Sequence, residues 1–302
     1  MSYLATSEKT RPLGKSSILV SSIAWGMWRF GGEGVYDSQK KIEAVLEAGV
    51  TLFDTADIYG PKEKGGFGQA ERALGEVFAA APRLRDSIVL ATKGGIIPGV
   101  PYDSSASYLA AAIDGSLKRL NVERIDLWQI HRPDILTHPA EVARVLEDAH
   151  RAGKISSVGV SNYTVSQTSN LMACLDLPVA SHQPEFSALH LDPLYDGILD
   201  QAIMHNMAVL AWSPLGGGKL AQPTTDREKH VVEIIDRKAS ETGVSSSAAA
   251  YSWIMAHPAR PIPIVGSQTL ARIAEIPDAY LPRWTRQEWY SVLVAATGKP
   301  LP

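Results

Sequence analysis

The sequence predicts an α/β fold, a single (β/α)8 TIM barrel with an N-terminal β-hairpin capping its floor and a C-terminal helix packed back on it. Three observations predict it. Short β-branched runs alternate with amphipathic stretches, several of which stop at Gly. The alternation yields eight strands without a break in composition. The 302 residues are enough for one barrel, which commonly takes about 250. An open doubly wound sheet can be built from the same units, but eight regular repeats favour closure, with residues 1–302 as one domain.

In chain order, Thr10 to Val20 reads as the hairpin, and Ile23–Trp25 as the first strand, before a helical stretch from Ser38 to Glu47. Thr51–Asp54 then precedes a helix over Gln69–Ala80, Ile88–Thr92 one over Ser107–Leu120, and Leu127–His131 one over Pro139–Arg151. Ser156–Val160 and Val179–Gln183 follow, with a helix from Pro193 to His205, and Ala208–Trp212 and Ile262–Val265 complete the eight strands. Pro214 to Glu228 is the longest break in the pattern, polar and Gly-rich, and reads as a lid or binding loop. Trp289, Val292, Leu293 and Ala296 recur at helical spacing within Thr285–Ala296, while the tail Gly298–Pro302 is expected to be mobile.

Composition excludes several classes of function. A formal charge of -3 with no run of Lys and Arg lacks the cationic footprint that a phosphate backbone requires, so nucleic acid is not an expected partner. Cys174 is the only cysteine, so no intrachain disulfide forms and a cytoplasmic protein is expected. Met1 to Lys15 is polar, with Glu8, Lys9 and Arg11 where a signal peptide needs apolar residues. Nowhere do 18 apolar residues run together, so no membrane span is expected. No heptad or apolar edge marks a subunit interface.

In a (β/α)8 barrel the catalytic groups sit where the C-terminal strand ends converge. Reading each strand to its end gives Asp54 with Tyr59, then Lys93, His131, Ser161 with Asn162, Gln183, Ser213 and Ser267, all reactive or hydrogen-bonding. An acid, a phenol, an amine and an imidazole from three successive strand ends can meet in one pocket. There a Lys beside the phenol is expected to lower its pKa and make Tyr59 a usable proton donor. Taken singly, Asp54 reads equally well as a turn residue, Lys93 as a surface charge and His131 as a core imidazole; their concurrence at one barrel face argues for chemistry.

Three segments carry a family resemblance: Phe53-Asp54-Thr55-Ala56-Asp57-Ile58-Tyr59-Gly60, Ala91-Thr92-Lys93-Gly94 and Leu127-Trp128-Gln129-Ile130-His131-Arg132. It continues through Gly159-Val160-Ser161-Asn162, His182-Gln183-Pro184-Glu185, Ala211-Trp212-Ser213-Pro214-Leu215 and Val265-Gly266-Ser267. In order and spacing these resemble the active-site signatures of the aldo-keto reductases. The resemblance implies an NADPH-dependent oxidoreductase acting on a small carbonyl or alcohol by direct hydride transfer, without a metal. It implies that Tyr59 protonates the carbonyl oxygen, that Lys93 paired with Asp54 tunes it, and that His131 orients the substrate.

For the cofactor it implies that Ser161, Asn162 and Gln183 hold the nicotinamide carboxamide and that Trp212 stacks on the ring. Gly26, Met27 and Trp28 fall where the family contacts cofactor and substrate, and Trp28 reads either as an aromatic wall for the substrate or as a packing residue of the barrel rim. Ser213, Pro214, Leu215 and Gly217 match the loop that lies against the pyrophosphate. Gly266, Ser267, Gln268 and Arg272 fall at the adenosine end, with Ser267 and Arg272 on the 2′-phosphate, which favours NADPH. The family often has Lys where this chain has Gly266 and Asn where it has Ile276, and NADH stays open as an alternative.

Gly216-Gly217-Gly218-Lys219-Leu220-Ala221 mimics a relaxed dinucleotide fingerprint, but Pro223 interrupts the helix that should receive the pyrophosphate. Two other readings fit a barrel. A metal-dependent hydrolase would need several ligands such as paired His residues, and none of the 8 His form an HxH pair. A regulatory barrel that binds NADPH without turnover is opposed by the complete set of Asp54, Tyr59, Lys93 and His131.

Overall fold

The computed structural model describes residues 2–60 and 66–301; Met1 of the polar N-terminal segment and Pro302 of the expected mobile tail lie outside the described residues. The chain opens with β1 (Thr10–Pro12) and β2 (Leu19–Ser21), an antiparallel hairpin. Eight parallel strands follow: β3 (Ala24–Gly26), β4 (Leu52–Asp54), β5 (Val89–Gly94), β6 (Ile125–Ile130), β7 (Ile155–Ser161), β8 (Val179–Gln183), β9 (Ala208–Ala211) and β10 (Ile262–Val265). They close into a barrel, β10 pairing with both β3 and β9, so the barrel itself has no open edge among the described residues. Helices alternate with the strands, and the helix Arg286–Thr297 buries Trp289, Val292, Leu293 and Ala296 after the last one. No helix among the described residues is long and apolar enough to cross a membrane.

The barrel matches the sequence expectation, with strand ends shifted by up to two residues. Lys93 lies inside β5 rather than after it. The helix expected from Pro193 begins only at Ile198. A separate turn at Asp192–Leu194 precedes it, and Gly197 at φ 85° breaks the helical path between them. Several helices start on a side-chain cap that sets where the strand-to-helix loop ends: Ser105, Thr164 and Thr225 each accept a first-turn backbone N–H. The last two complete capping boxes with Gln167 and Glu228.

Side-chain alternation along the strands explains where chemistry can occur. Leu13 and Val20 from the hairpin plug the floor together with Ala24, Leu52, Ala91, Leu127, Ala208 and Ile262, a dry layer across the barrel. Two residues further along three of these strands, on the same inward face, stand Asp54, Lys93 and Gln129. In the register Lys93 stands opposite Gln129 and two residues beyond Ala91, the partner of Asp54, so the long Lys93 side chain reaches back to the shorter carboxylate. An apolar floor thus carries a polar layer at the C-terminal mouth.

Candidate active site

Asp54 and Lys93 form the base of the mouth. Both side chains are buried, and Lys93 Nζ donates to Asp54 Oδ2 at 2.6 Å and to the Thr55 carbonyl at 2.8 Å. Asp54 Oδ1 accepts from Gln183 Nε2 at 2.9 Å and from Gln129 Nε2 at 3.3 Å, while Ser181 Oγ donates to Gln129 Oε1 at 3.2 Å. Buried charge is tolerated only when paired and hydrogen-bonded, and both conditions hold here. Burial alone would lower the Lys93 pKa, but the Asp54 carboxylate beside it wins and holds the ammonium above its ordinary value. Lys93 therefore stays protonated.

Tyr59 lies on the loop after β4, tied to the following helix by the Ala70 N–H donating to its carbonyl at 3.0 Å. Its ring centroid is 4.9 Å from Lys93 Nζ, and it meets the His131 ring edge-on at 5.6 Å. The residue is half-buried, with its hydroxyl at the enclosed base of the mouth. Burial pushes the phenol above its ordinary value; Lys93 is the strongest influence drawing it back and Asp54 opposes it. The expected acidifying effect of Lys93 is present, but desolvation outweighs it, and Tyr59 holds its proton throughout the neutral range. The His131 imidazole is held well below its usual value by burial and by the positive charges of Lys93 and Arg132. It is a neutral hydrogen-bonding group facing a protonated phenol.

Asp57 was not singled out by sequence reasoning. It is fully buried, and its backbone N–H donates to the Lys93 carbonyl at 3.0 Å. Its side chain packs so close to Gly94 that a Cβ there would come within 2.9 Å of both Asp57 Oδ2 and the Trp128 ring. By geometry neither carboxyl oxygen has a hydrogen-bond partner among the described residues. The adjacent buried acid, Glu71, is already satisfied by Arg119 Nε at 2.7 Å and the Thr92 hydroxyl at 2.6 Å. With the nearby cations engaged elsewhere, burial and then Glu71 push the Asp57 carboxyl up to about 8, against the pull of Arg119, the Ile58 backbone N–H and Lys93.

The sign of the resulting pH dependence follows from linkage. Neutral Asp57 contributes stability that is complete below the free carboxyl value of 3.8 and is lost as pH rises through about 8. Asp57→Asn cannot ionise, so its thermal midpoint should gain on that of the parent across this window. The gain should be at most about 1.4 kcal/mol per pH unit. A difference that does not vary with pH across the window would contradict a protonated Asp57.

The expected cofactor residues surround this base. Ser161 Oγ donates to the Gln183 carbonyl at 2.9 Å; Asn162 Nδ2 donates to Ser161 Oγ at 2.8 Å and to the His131 carbonyl at 3.3 Å. Trp212 Nε1 donates to Asn162 Oδ1 at 3.0 Å, leaving a half-buried indole at the mouth. Gln268 Nε2 donates to the Gly26 carbonyl at 3.2 Å, and Trp25 Nε1, overlooked in the sequence, holds the Ser267 carbonyl at 2.8 Å. The loop after β9 turns at Ser213, a non-glycine residue at φ 51°, and again at Gly217, at φ 67°. Backbone held in such sparsely populated conformations clusters at ligand-binding sites. A Cβ at Gly217 or Gly266 would meet nothing within 4 Å, so both present bare backbone to open space, which suits close approach of phosphate.

Other expected residues stand apart from this network. The Met27 and Pro214 side chains are buried, which leaves only their backbone for contact. Trp28 is 65% exposed at the rim. Arg272 projects to solvent from the short helix Leu270–Ala274 and makes no hydrogen bond or ion pair with any described residue. The donor set fits a dinucleotide: amide and hydroxyl groups beside an aromatic face, then bare backbone, then a guanidinium at the far end.

The chain matches the model of the Aldo/keto reductase family over residues 22–292. It is 55% identical over 304 residues to the 6-dehydroglucose reductase of Novosphingobium aromaticivorans, covering 100% of each chain. A second protein of that name, from Agrobacterium fabrum, is 34% identical over 292 residues, covering 93% of this chain and 95% of the relative. Among solved structures, the glycerol dehydrogenase of Gluconobacter oxydans superposes with a TM-score of 0.84 at 27% identity, covering 97% of this chain and 98% of that one. With a fold, a polar mouth and full-length relatives in agreement, the chain belongs to the aldo/keto reductase family.

Proposed function

We propose that the chain is an NADPH-dependent reductase of sugar-type aldehydes, with Tyr59 as the general acid. The observation that carries this reading is the buried Lys93–Asp54 pair beneath Tyr59, with neutral His131 across the mouth. Both curated relatives described above are named for reduction of 6-dehydroglucose, which puts an oxidised sugar first among substrates. Ser161, Asn162 and Gln183 would hold the carboxamide of the cofactor, Trp212 its ring, Ser213, Leu215 and Gly217 its pyrophosphate, and Ser267 with Arg272 its 2′-phosphate. When bound, the reduced nicotinamide supplies hydride to the carbonyl carbon.

The chain's own groups do the rest. His131 and Tyr59 direct hydrogen bonds at the carbonyl oxygen, and Tyr59 gives that oxygen its proton as negative charge develops there. Lys93, locked protonated by Asp54, stabilises the phenolate that Tyr59 leaves behind. In the reverse direction the same phenolate accepts the proton of the alcohol.

The test is to follow NADPH absorbance against a panel of aldehydes and ketones that includes 6-dehydroglucose. Turnover with that sugar is expected. A protein that binds NADPH and oxidises it with no carbonyl compound would overturn the reading. The Arg272 assignment is tested separately. Arg272→Ala should raise the Michaelis constant for NADPH tenfold or more over any change for NADH, since a charge-assisted bond contributes roughly 1.5 to 3 kcal/mol. Equal effects on both cofactors would place Arg272 outside the phosphate site.

A further inference from the structure

We infer that Arg132 determines specificity: its guanidinium binds oxygen atoms on the carbons next to the substrate carbonyl and so selects hydroxylated aldehydes over plain alkanals. The inference rests on the carbonyl-reducing function proposed above and deepens it.

Arg132 directly follows His131 on the loop that leaves β6 at Ile130, so the segment that delivers the imidazole also delivers the guanidinium. Its Cζ lies 5.9 Å from the centroid of the Trp212 ring, across the mouth. Its charge is felt by both the Tyr59 phenol and the His131 imidazole, and lowers the pKa of each. These are the two groups proposed to meet the carbonyl oxygen, so the guanidinium borders the proposed carbonyl site. The side chain is only partly buried, which leaves its donors open to the mouth.

What Arg132 lacks is equally informative. It makes no hydrogen bond or ion pair with any described residue; stacking on Trp212 is its one contact of this kind. The carboxylate on its own loop, Asp134, is committed elsewhere. Asp134 accepts from the Ser104 N–H at 2.9 Å, the Leu136 N–H at 2.9 Å and the Thr137 hydroxyl at 2.6 Å. A guanidinium offers five N–H donors in a fixed fork and is weakly hydrated, so it suits paired oxygen acceptors. Placed beside a second cation, Lys93, it makes a mouth that favours oxygen-rich substrates. A plain alkanal would leave the fork unmatched, and a site built to bond a substrate hydroxyl discriminates strongly against an analogue lacking it.

The competing role is structural, a cation–π support for Trp212. Comparing 2,3-dihydroxypropanal with propanal separates the two, because the chain length and the reacting aldehyde are the same. The wild type should favour the dihydroxy aldehyde in kcat/KM. In Arg132→Met that preference should fall tenfold or more, chiefly through KM of the dihydroxy substrate. Loss of the charge beside Tyr59 slows both substrates and cancels in the ratio. Arg132→Lys, which keeps the charge without the fork, should retain only part of the preference and guards against a folding defect in the first variant. Unchanged preference in Arg132→Met, with both substrates slowed alike, would overturn the inference in favour of the structural role. A wild type that reduces both aldehydes without preference would defeat the inference alone. A wild type that reduces neither these nor 6-dehydroglucose would defeat the proposed function as well.

Discussion

Tyr59→Phe should lower carbonyl reduction about 10²- to 10⁴-fold, the usual contribution of a general acid, with NADPH affinity nearly intact. The lost hydroxyl acts on the substrate oxygen, while the ring still fills its place against His131, 5.6 Å away. The groups proposed to hold the nicotinamide, Ser161, Asn162, Gln183 and Trp212, bond among themselves, to backbone and, for Gln183, to Asp54, rather than to Tyr59. Fluorescence titration with NADPH beside steady-state rates separates binding from chemistry. A fully active Tyr59→Phe protein would remove Tyr59 from the mechanism.

Lys93→Met should do two things at once. It removes the charge that most strongly draws the Tyr59 phenol downward, so reduction should fall by a factor comparable to that of Tyr59→Phe. It also strands the Asp54 carboxylate, 3% exposed, with only Gln183 and Gln129 as partners. Breaking a buried pair from one side costs about 3 to 5 kcal/mol, so a drop of several degrees in thermal midpoint is expected. The double variant Asp54→Asn/Lys93→Met removes the orphan charge and should recover much of the stability but none of the activity. If the double variant is no more stable than Lys93→Met, the cost lies in lost packing and not in the stranded carboxylate.

The barrel was legible because the β-branched runs alternate regularly with amphipathic helices, and the mouth because polar residues stand at the ends of those runs. Asp54, Lys93 and Gln183 are brought into one hydrogen-bonded cluster. Gln129 escaped notice because it lies inside its strand, two residues before His131. The signal was the alternation that puts Leu127 and Gln129 on one face. Asp57 sits in plain view within the first motif. Its missing partner is a fact of three dimensions, set by Glu71 and Arg119 from two later helices. The direction of the Tyr59 shift was misjudged for a similar reason, since proximity of Lys93 was readable but the depth of burial was not. Periodicity also carried the helix back to Pro193, because it does not register the left-handed turn at Gly197.

The proposed reaction passes hydride directly from NADPH to the carbonyl carbon within this pocket. A single turnover with NADPH stereospecifically deuterated at the transferring position of C4, and with 6-dehydroglucose as acceptor, tests it most directly. One deuterium is expected on the new carbinol carbon of the product, formed in step with NADPH oxidation. Product alcohol without that deuterium, or oxidation of NADPH without product alcohol, would contradict it.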